Sequence, residues 1–188
     1  MVRYRRNFLA GGTYFFTLTL RDRSSRALIE YVDVLRETFR AARKRHPFII
    51  EAMVVLPEHL HVVMTLPPDD AAYDSRIRFI KSRFLRRVAQ LGAPILRNAR
   101  DEYDLWQRRY WEHTIRDDED LQRHVDYIHF NPVKHGHAMR AADWSYSSVH
   151  RYIRAGWVNE DWGFHTNDGG AVYGESAEQP RSSGWSVA

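Results

Sequence analysis

The 188-residue sequence predicts an α+β protein of ferredoxin-like plan, a split βαβ sandwich with an antiparallel sheet, helices on one sheet face and one added helix. Two observations carry that expectation. Segments with strand-like and helix-like hydrophobic periods follow one another in the order strand, helix, strand, strand, helix, strand. The third strand-like segment, LPEHLHVVMTLP from Leu56 to Pro67, falls at the central position of that plan, yet it places two histidines two residues apart.

The elements follow in order. GTYFFTLTL alternates, with Tyr14, Phe16, Leu18 and Leu20 on one side and Thr13, Phe15, Thr17 and Thr19 on the other, as a first strand requires. Basic residues ahead of this apolar run imitate a secretion signal. Gly11-Gly12 interrupts the run and threonines alternate through it, so the start reads as a basic arm leading into a strand. From about Ile29 to His46, Val32, Leu35, Phe39 and Ala42 recur at helical spacing, and Pro47 stops that helix. FIIEAMVVL is the second strand, and Leu56-Pro57-Glu58 turns the chain into the third. The second helix runs from about Tyr73 to Leu91, with Ile77, Ile80, Phe84, Val88 and Leu91 inward, a basic run outward and Gly92 at its end. LWQRRYWEHTIR supplies the fourth strand. A third helix begins near Asp117, where Asp117, Asp118, Glu119 and Asp120 suit the positive end of the helix dipole. Pro132 should end or kink it at Asn131. From about His165 the chain loses periodicity and is rich in Gly, Ser and acid, which divides it into a domain, 1–164, and a flexible tail, 165–188.

Composition excludes several classes. Cysteine is absent, so there are no disulfides and no thiolate metal sites, in agreement with a reducing cytoplasm. No segment is long and apolar enough to span a bilayer, so no membrane partner is expected. The net charge of +4 is modest but unevenly placed. Arg76, Arg78, Lys81, Arg83, Arg86 and Arg87 occur without an intervening acid, Arg3, Arg5 and Arg6 open the chain, and Arg40, Arg43, Lys44 and Arg45 form a third group. Such clusters suit a polyanion, because each cation placed on a phosphate releases counterions; a solvated helix face is the alternative for any one of them.

In an extended chain, His59, His61, Val63 and Thr65 share one face, and Leu60, Val62, Met64 and Leu66 share the core face. In that plan one sheet face packs on the two helices and the other is left open, so the imidazoles are expected on the open face of a central strand. Two imidazoles suggest a divalent metal but are too few to hold one, so an oxygen or nitrogen donor must come from elsewhere; Mg²⁺ or Mn²⁺ suits such a set. Stray strand histidines are the competing explanation. On the third helix, Leu121, Val125 and Ile128 form the apolar stripe, while His124, Tyr127 and Asn131 form a polar one. Asn131 can offer an amide oxygen. The Tyr127 phenol can attack a metal-bound phosphodiester once deprotonated, or serve as an aromatic packed on the sheet edge.

Four segments then carry a resemblance. EHLHVVM resembles the HUH motif of single-tyrosine nucleases, and HVDYIHFNPVKHG resembles the nucleophile helix of the REP-associated tyrosine transposases. WQRRYWEHTIRDDED and DWSYSSVHRYIRAG are similar to the same family, and the match runs in order from about Arg5 to Gly163. The resemblance implies that His59 and His61 are metal ligands, Asn131 is the third protein ligand and Tyr127 is the nucleophile. Insertion-sequence relatives carry glutamine at the Asn131 position, which offers the same amide oxygen. It also implies a metal-dependent endonuclease and strand transferase, acting in a bacterial cytoplasm at the nucleoid. Its substrates would be single-stranded DNA hairpins (REP palindromes), joined through a 5′-phosphotyrosine. A monomer is expected, with a dimer the alternative.

For DNA contact, Arg5 and Arg6 form an arm, Lys81, Arg83, Arg86 and Arg87 suit the phosphate backbone, and Arg108 and Arg109 flank the active-site side. Trp106 and Tyr110 can stack on bases or fill the core, with the core favoured for Trp111, and packing or surface roles are expected for His113, His124 and His129. The rival is a non-catalytic single-stranded nucleic-acid-binding module of the same sheet plan. For it, Phe15 is the only aromatic candidate on the face carrying the histidines.

Overall fold

The computed structural model describes residues 7–101 and 103–163, so Arg5, Arg6 and the expected tail lie outside the described residues. Strands β1 (Thr13–Thr19), β2 (Ile49–Val55), β3 (His59–Thr65) and β4 (Trp111–Thr114) form one antiparallel sheet in the order β2-β3-β1-β4. The helices are α1 (Ala27–Glu30), α2 (Val32–Arg45), α3 (Tyr73–Gln90), α4 (Asp118–Lys134) and α5 (Val149–Arg154). This is the expected split βαβ plan. Among the described residues no helix is long and apolar enough to cross a membrane.

The alternation in β1 and β3 sorts their side chains between two layers. Tyr14, Phe16 and Leu18 of β1 and Leu60, Val62 and Met64 of β3 meet Leu35 and Phe39 of α2 and Ile77, Ile80, Phe84 and Val88 of α3. Each such side chain, fully buried, contributes roughly 1.5–3 kcal/mol. Arg76 is not part of the outward basic run: it is buried, and its guanidinium donates to the carbonyls of Pro47 and Ala72 and to the Asp70 carboxylate at 2.7 Å. The fourth strand is shorter than its sequence suggested. Trp111–Thr114 is the continuous part paired with β1; before it, Trp106 makes an isolated antiparallel bridge to Leu20, and the Gln107 amide donates to the Thr19 carbonyl at 2.9 Å.

The opposite sheet face is not open, contrary to the sequence expectation. Helix α4 lies across it, and Val125, Tyr127 and Ile128 pack on Phe15, Ala52, Val54, Leu56 and Val63. Nor does α4 stop at Asn131. Proline removes one backbone donor, but the last turn is held by the buried Pro132 and Val133 and by the His135 amide donating to the Asn131 carbonyl at 3.1 Å. Gly136, at φ +70°, then takes the left-handed position that closes the helix. At the sheet's β2 edge the register shifts between Ile50 and Ala52, and α5 docks there, with the Arg151 guanidinium and the Tyr152 hydroxyl both donating to the Glu51 carbonyl.

One buried carboxylate fastens the start of α4. Asp117 caps the helix by accepting from the Asp120 amide at 2.7 Å. The Asp120 carboxylate accepts in turn from the Arg116 amide at 3.0 Å, the Arg123 guanidinium at 3.2 Å and His113 Nε2 of β4 at 2.8 Å. Burial works to raise the Asp120 pKa, but the bonds from His113 and Arg116 outweigh it and hold the carboxyl well below its ordinary value of 3.8. A lowered native pKa means stability that is complete above the unfolded value and lost as pH falls below it. Asp120→Asn therefore costs about 2–4 kcal/mol at neutral pH. The gap to the parent narrows below about pH 4, as urea unfolding at the two pH values will measure.

Candidate functional site

Central position in the sheet and cover by α4 bring a polar strand face against a polar helix stripe. In the β1–β3 register, Thr17 stands opposite His61 and Thr19 opposite His59. The His61 Nδ1 and Thr17 Oγ1 atoms are hydrogen-bonded at 2.9 Å, which fixes the ring and turns Nε2 away from the neighbouring strand. His59 Nδ1 lies 2.9 Å from Glu58 Oε1. Burial would raise the Glu58 pKa, yet the His59 hydrogen bond and charge and the Arg23 guanidinium lower it to about 2. An ionised carboxylate only accepts, so His59 donates from Nδ1, and Nε2 is the ring nitrogen left to face a ligand. Burial first, then the charges of His59, His135, Lys134 and Arg23, pushes the His61 pKa well below the ordinary 6.5. His61 is thus neutral at physiological pH, as a metal-ligating imidazole must be.

Tyr127 reaches this pair from α4, and Asn131 lies on that helix midway between Tyr127, beside His61, and His135, beside His59. The Tyr127 ring lies 5.2 Å from that of His61 and 5.9 Å from that of Phe15, and the two imidazole rings are 4.9 Å apart, all centroid to centroid. Asn131, one turn beyond Tyr127, is fully buried. Among the described residues, His61 Nε2 and both polar atoms of the Asn131 amide are buried without a hydrogen-bond partner. Leaving such atoms unpaired costs about 1–3 kcal/mol each, and of the three, His61 Nε2 and Asn131 Oδ1 have lone pairs that a cation would accept. The donor set, two imidazoles and an amide oxygen, is compatible with Mn²⁺ or Mg²⁺.

The sequence reading missed three neighbours of this set. Glu58 orients His59. His135 places its ring 5.4 Å from His59, and Lys134 sets its ammonium 5.2 Å from the centre of the Tyr127 ring. Lys134 and His135 lie three and four residues past Asn131, a spacing that marks a shared helix face. A second group, His113, Asp120 and His124, has potential ligand atoms within 4.8 Å of one another. Its carboxylate is already engaged by His113, Arg116 and Arg123, so its chemistry is that of an anchor for α4.

Of the residues expected to contact DNA, those on α3 lie apart from these. Helix α3 packs on the other sheet face, so Lys81, Arg83, Arg86 and Arg87 are separated from the histidines by the sheet. Lys81 donates to the Gln107 carbonyl at 2.7 Å and ties α3 to the segment before β4. Arg86, Arg87, Arg108 and Arg109 are exposed, and Arg108 lines a cavity of about 410 Å³ between α3 and residues 103–110. Trp106 is a core residue whose indole donates to the Lys81 carbonyl at 3.1 Å, which removes it from base stacking. Tyr110 and Trp111 are half-buried on opposite faces.

Residues 10–131 match the family described as transposase IS200 like. The chain is 41% identical over 168 residues to the REP-associated tyrosine transposase of Escherichia coli (strain K12), covering 89% of this chain and 94% of that one. It is 43% identical over 165 residues to a Haemophilus influenzae protein carrying the same family name, covering 87% and 94%. A solved structure of a REP-associated tyrosine transposase bound to a REP hairpin superposes with a TM-score of 0.76 at 39% identity, covering 94% of this chain and 98% of that chain.

The orphaned amide makes a test independent of activity. Asn131→Leu, similar in shape and without polar atoms, leaves the metal-free protein within about 1 kcal/mol of the parent or more stable. The same change abolishes the rise in Tm that Mn²⁺ gives the parent, as thermal unfolding with and without the ion will measure.

Proposed function

Because this chain belongs to the REP-associated tyrosine transposases of the IS200-like transposase family, we propose that it cleaves and rejoins single-stranded DNA at REP-type hairpins, using Tyr127 as nucleophile. The Tyr127 ring beside His61, with the buried Asn131 amide one turn further along the same helix and without a hydrogen-bond partner, is the observation that supports this reading. His59 Nε2, His61 Nε2 and Asn131 Oδ1 would hold a divalent ion, Mg²⁺ or Mn²⁺. Bound there, the ion supplies a Lewis acid that polarises the scissile phosphate.

In the forward step the Tyr127 phenolic oxygen bonds to phosphorus, its proton passing to solvent. The bond from phosphorus to the 3′-oxygen breaks, and that oxygen leaves as a hydroxyl after taking up a proton. The product is a 5′-phosphotyrosine and a free 3′-hydroxyl, and the reverse attack by a 3′-hydroxyl rejoins strands. A covalent link conserves the phosphodiester free energy that hydrolysis would dissipate. Burial of Tyr127 against Phe15 and His61 holds the phenol in one orientation, which lowers the entropic cost of attack.

The hairpin substrate is proposed from the likeness to the hairpin-bound relative. The exposed cations Arg86 and Arg87 would follow the backbone of such a DNA, with Arg108 and Arg109 flanking the active-site side. We take residues 1–164 as the catalytic domain and the protein as a monomer of the bacterial cytoplasm. A purely binding module of the same plan is disfavoured, since Phe15 is buried beneath α4 and presents no stacking surface.

Incubation with a single-stranded oligonucleotide carrying a REP palindrome and Mn²⁺ gives a protein–DNA adduct that survives a denaturing gel. Tyr127→Phe abolishes adduct and nick together while hairpin affinity stays within about threefold. A nick without an adduct in the parent would instead assign attack to water.

A further inference from the structure

The final turn of α4 places a cation beside the proposed nucleophile. Lys134 lies seven residues beyond Tyr127 and three beyond Asn131, on the same side of the helix. Its ammonium stands over the Tyr127 ring, 5.2 Å from the centroid, and its charge is felt by both His61 and His135. Lys134 is nevertheless exposed, so the group sits where the buried donor set meets solvent. The last turn of a helix favours a cation, because its carbonyl ends are unpaired. The other cation acting on His61, Arg23, lies 3.3 Å from Glu58 Oε1 and is engaged in orienting His59.

A phosphodiester arriving over these residues carries one negative charge, and attack by a phenolate adds a second in the transition state. Lys134 is the cation that the last turn of α4 sets beside the Tyr127 ring, where that added charge would develop. We propose that Lys134 is a catalytic residue whose ammonium contacts a non-bridging oxygen of the scissile phosphodiester and offsets the charge that builds as the Tyr127 oxygen bonds to phosphorus. Lys134 gives up no proton in this role. The inference rests on the nuclease reading above.

The test is single-turnover adduct formation with the REP-palindrome oligonucleotide and Mn²⁺. Lys134→Met keeps the aliphatic contact with the Tyr127 ring but removes the charge. It slows adduct formation by about 10–100-fold while the hairpin Kd stays within about threefold. Lys134→Arg stays within about fivefold of the parent. Because the chain has no cysteine, Lys134→Cys treated with 2-bromoethylamine restores an ammonium at this position alone and recovers at least tenfold in rate over the untreated variant.

Three outcomes overturn the proposal: Lys134→Met as fast as the parent, a rate loss matched by an equal loss of affinity, or no recovery after aminoethylation. Each leaves the nuclease reading standing, provided the parent forms its adduct. A parent that forms none removes that reading, and this inference with it.

Discussion

Two polar surfaces are pressed together in the middle of this protein, and most of its architecture serves that contact. The histidine face of β3 would be an ordinary solvated sheet surface if α4 did not cross it. Once α4 crosses, His59, His61, Tyr127 and Asn131 are withdrawn from water in one place. Withdrawal is costly for imidazoles and an amide, and only part of the cost is met by Glu58 and Thr17. The contact persists because aliphatic and aromatic groups surround it: Phe15, Val54, Leu56 and Val63 below, Val125 and Ile128 above.

The sheet's other face makes this arrangement affordable. Its core, built from α2, α3 and the inward side chains of β1 and β3, is mostly aliphatic and aromatic, and the guanidinium it buries, that of Arg76, is caged by two carbonyls and Asp70. The larger share of the buried apolar side chains lies there, while His61 Nε2 and the Asn131 amide are buried without partners on the side where chemistry is proposed. That division is the expected one for a protein that keeps a reactive site on a rigid scaffold. The Asp120 cluster serves the same end, since it fastens the N-terminus of α4 to β4 and so sets where the rest of the helix lies.

How far this was legible in the sequence differs residue by residue. Alternation in β1 and β3 has a period of two, so the sorting of Phe15 and Thr17 from Tyr14 and Phe16 could be read directly, as could the side on which His59 and His61 lie. The acidic start of α4 was equally plain. The cover over the histidines was not, because α4 mixes Val125 and Ile128 with Tyr127 and Asn131 and shows no single apolar face. Charge alone put Arg76 on the surface, since the Pro47 and Ala72 carbonyls that receive it are a tertiary feature. Trp106 could be read as a stacking platform or as core, since the Lys81 carbonyl that receives its indole is likewise a tertiary feature. Pro132 was overvalued as a helix breaker, because packing of the last turn outweighs one missing donor. Lys134 and His135 carried a spacing signal, but basic residues at a helix end have an ordinary explanation in the dipole.

Tyr127 and Asn131 are four residues apart on one helix, a rise of about 6 Å along a stiff rod, whereas both imidazoles belong to a sheet strand. Any tilt of the rod away from the sheet carries phenol and amide off together, and neither can depart alone. Loosening the grip on an ion and drawing back a tethered DNA end would be a single rigid-body event.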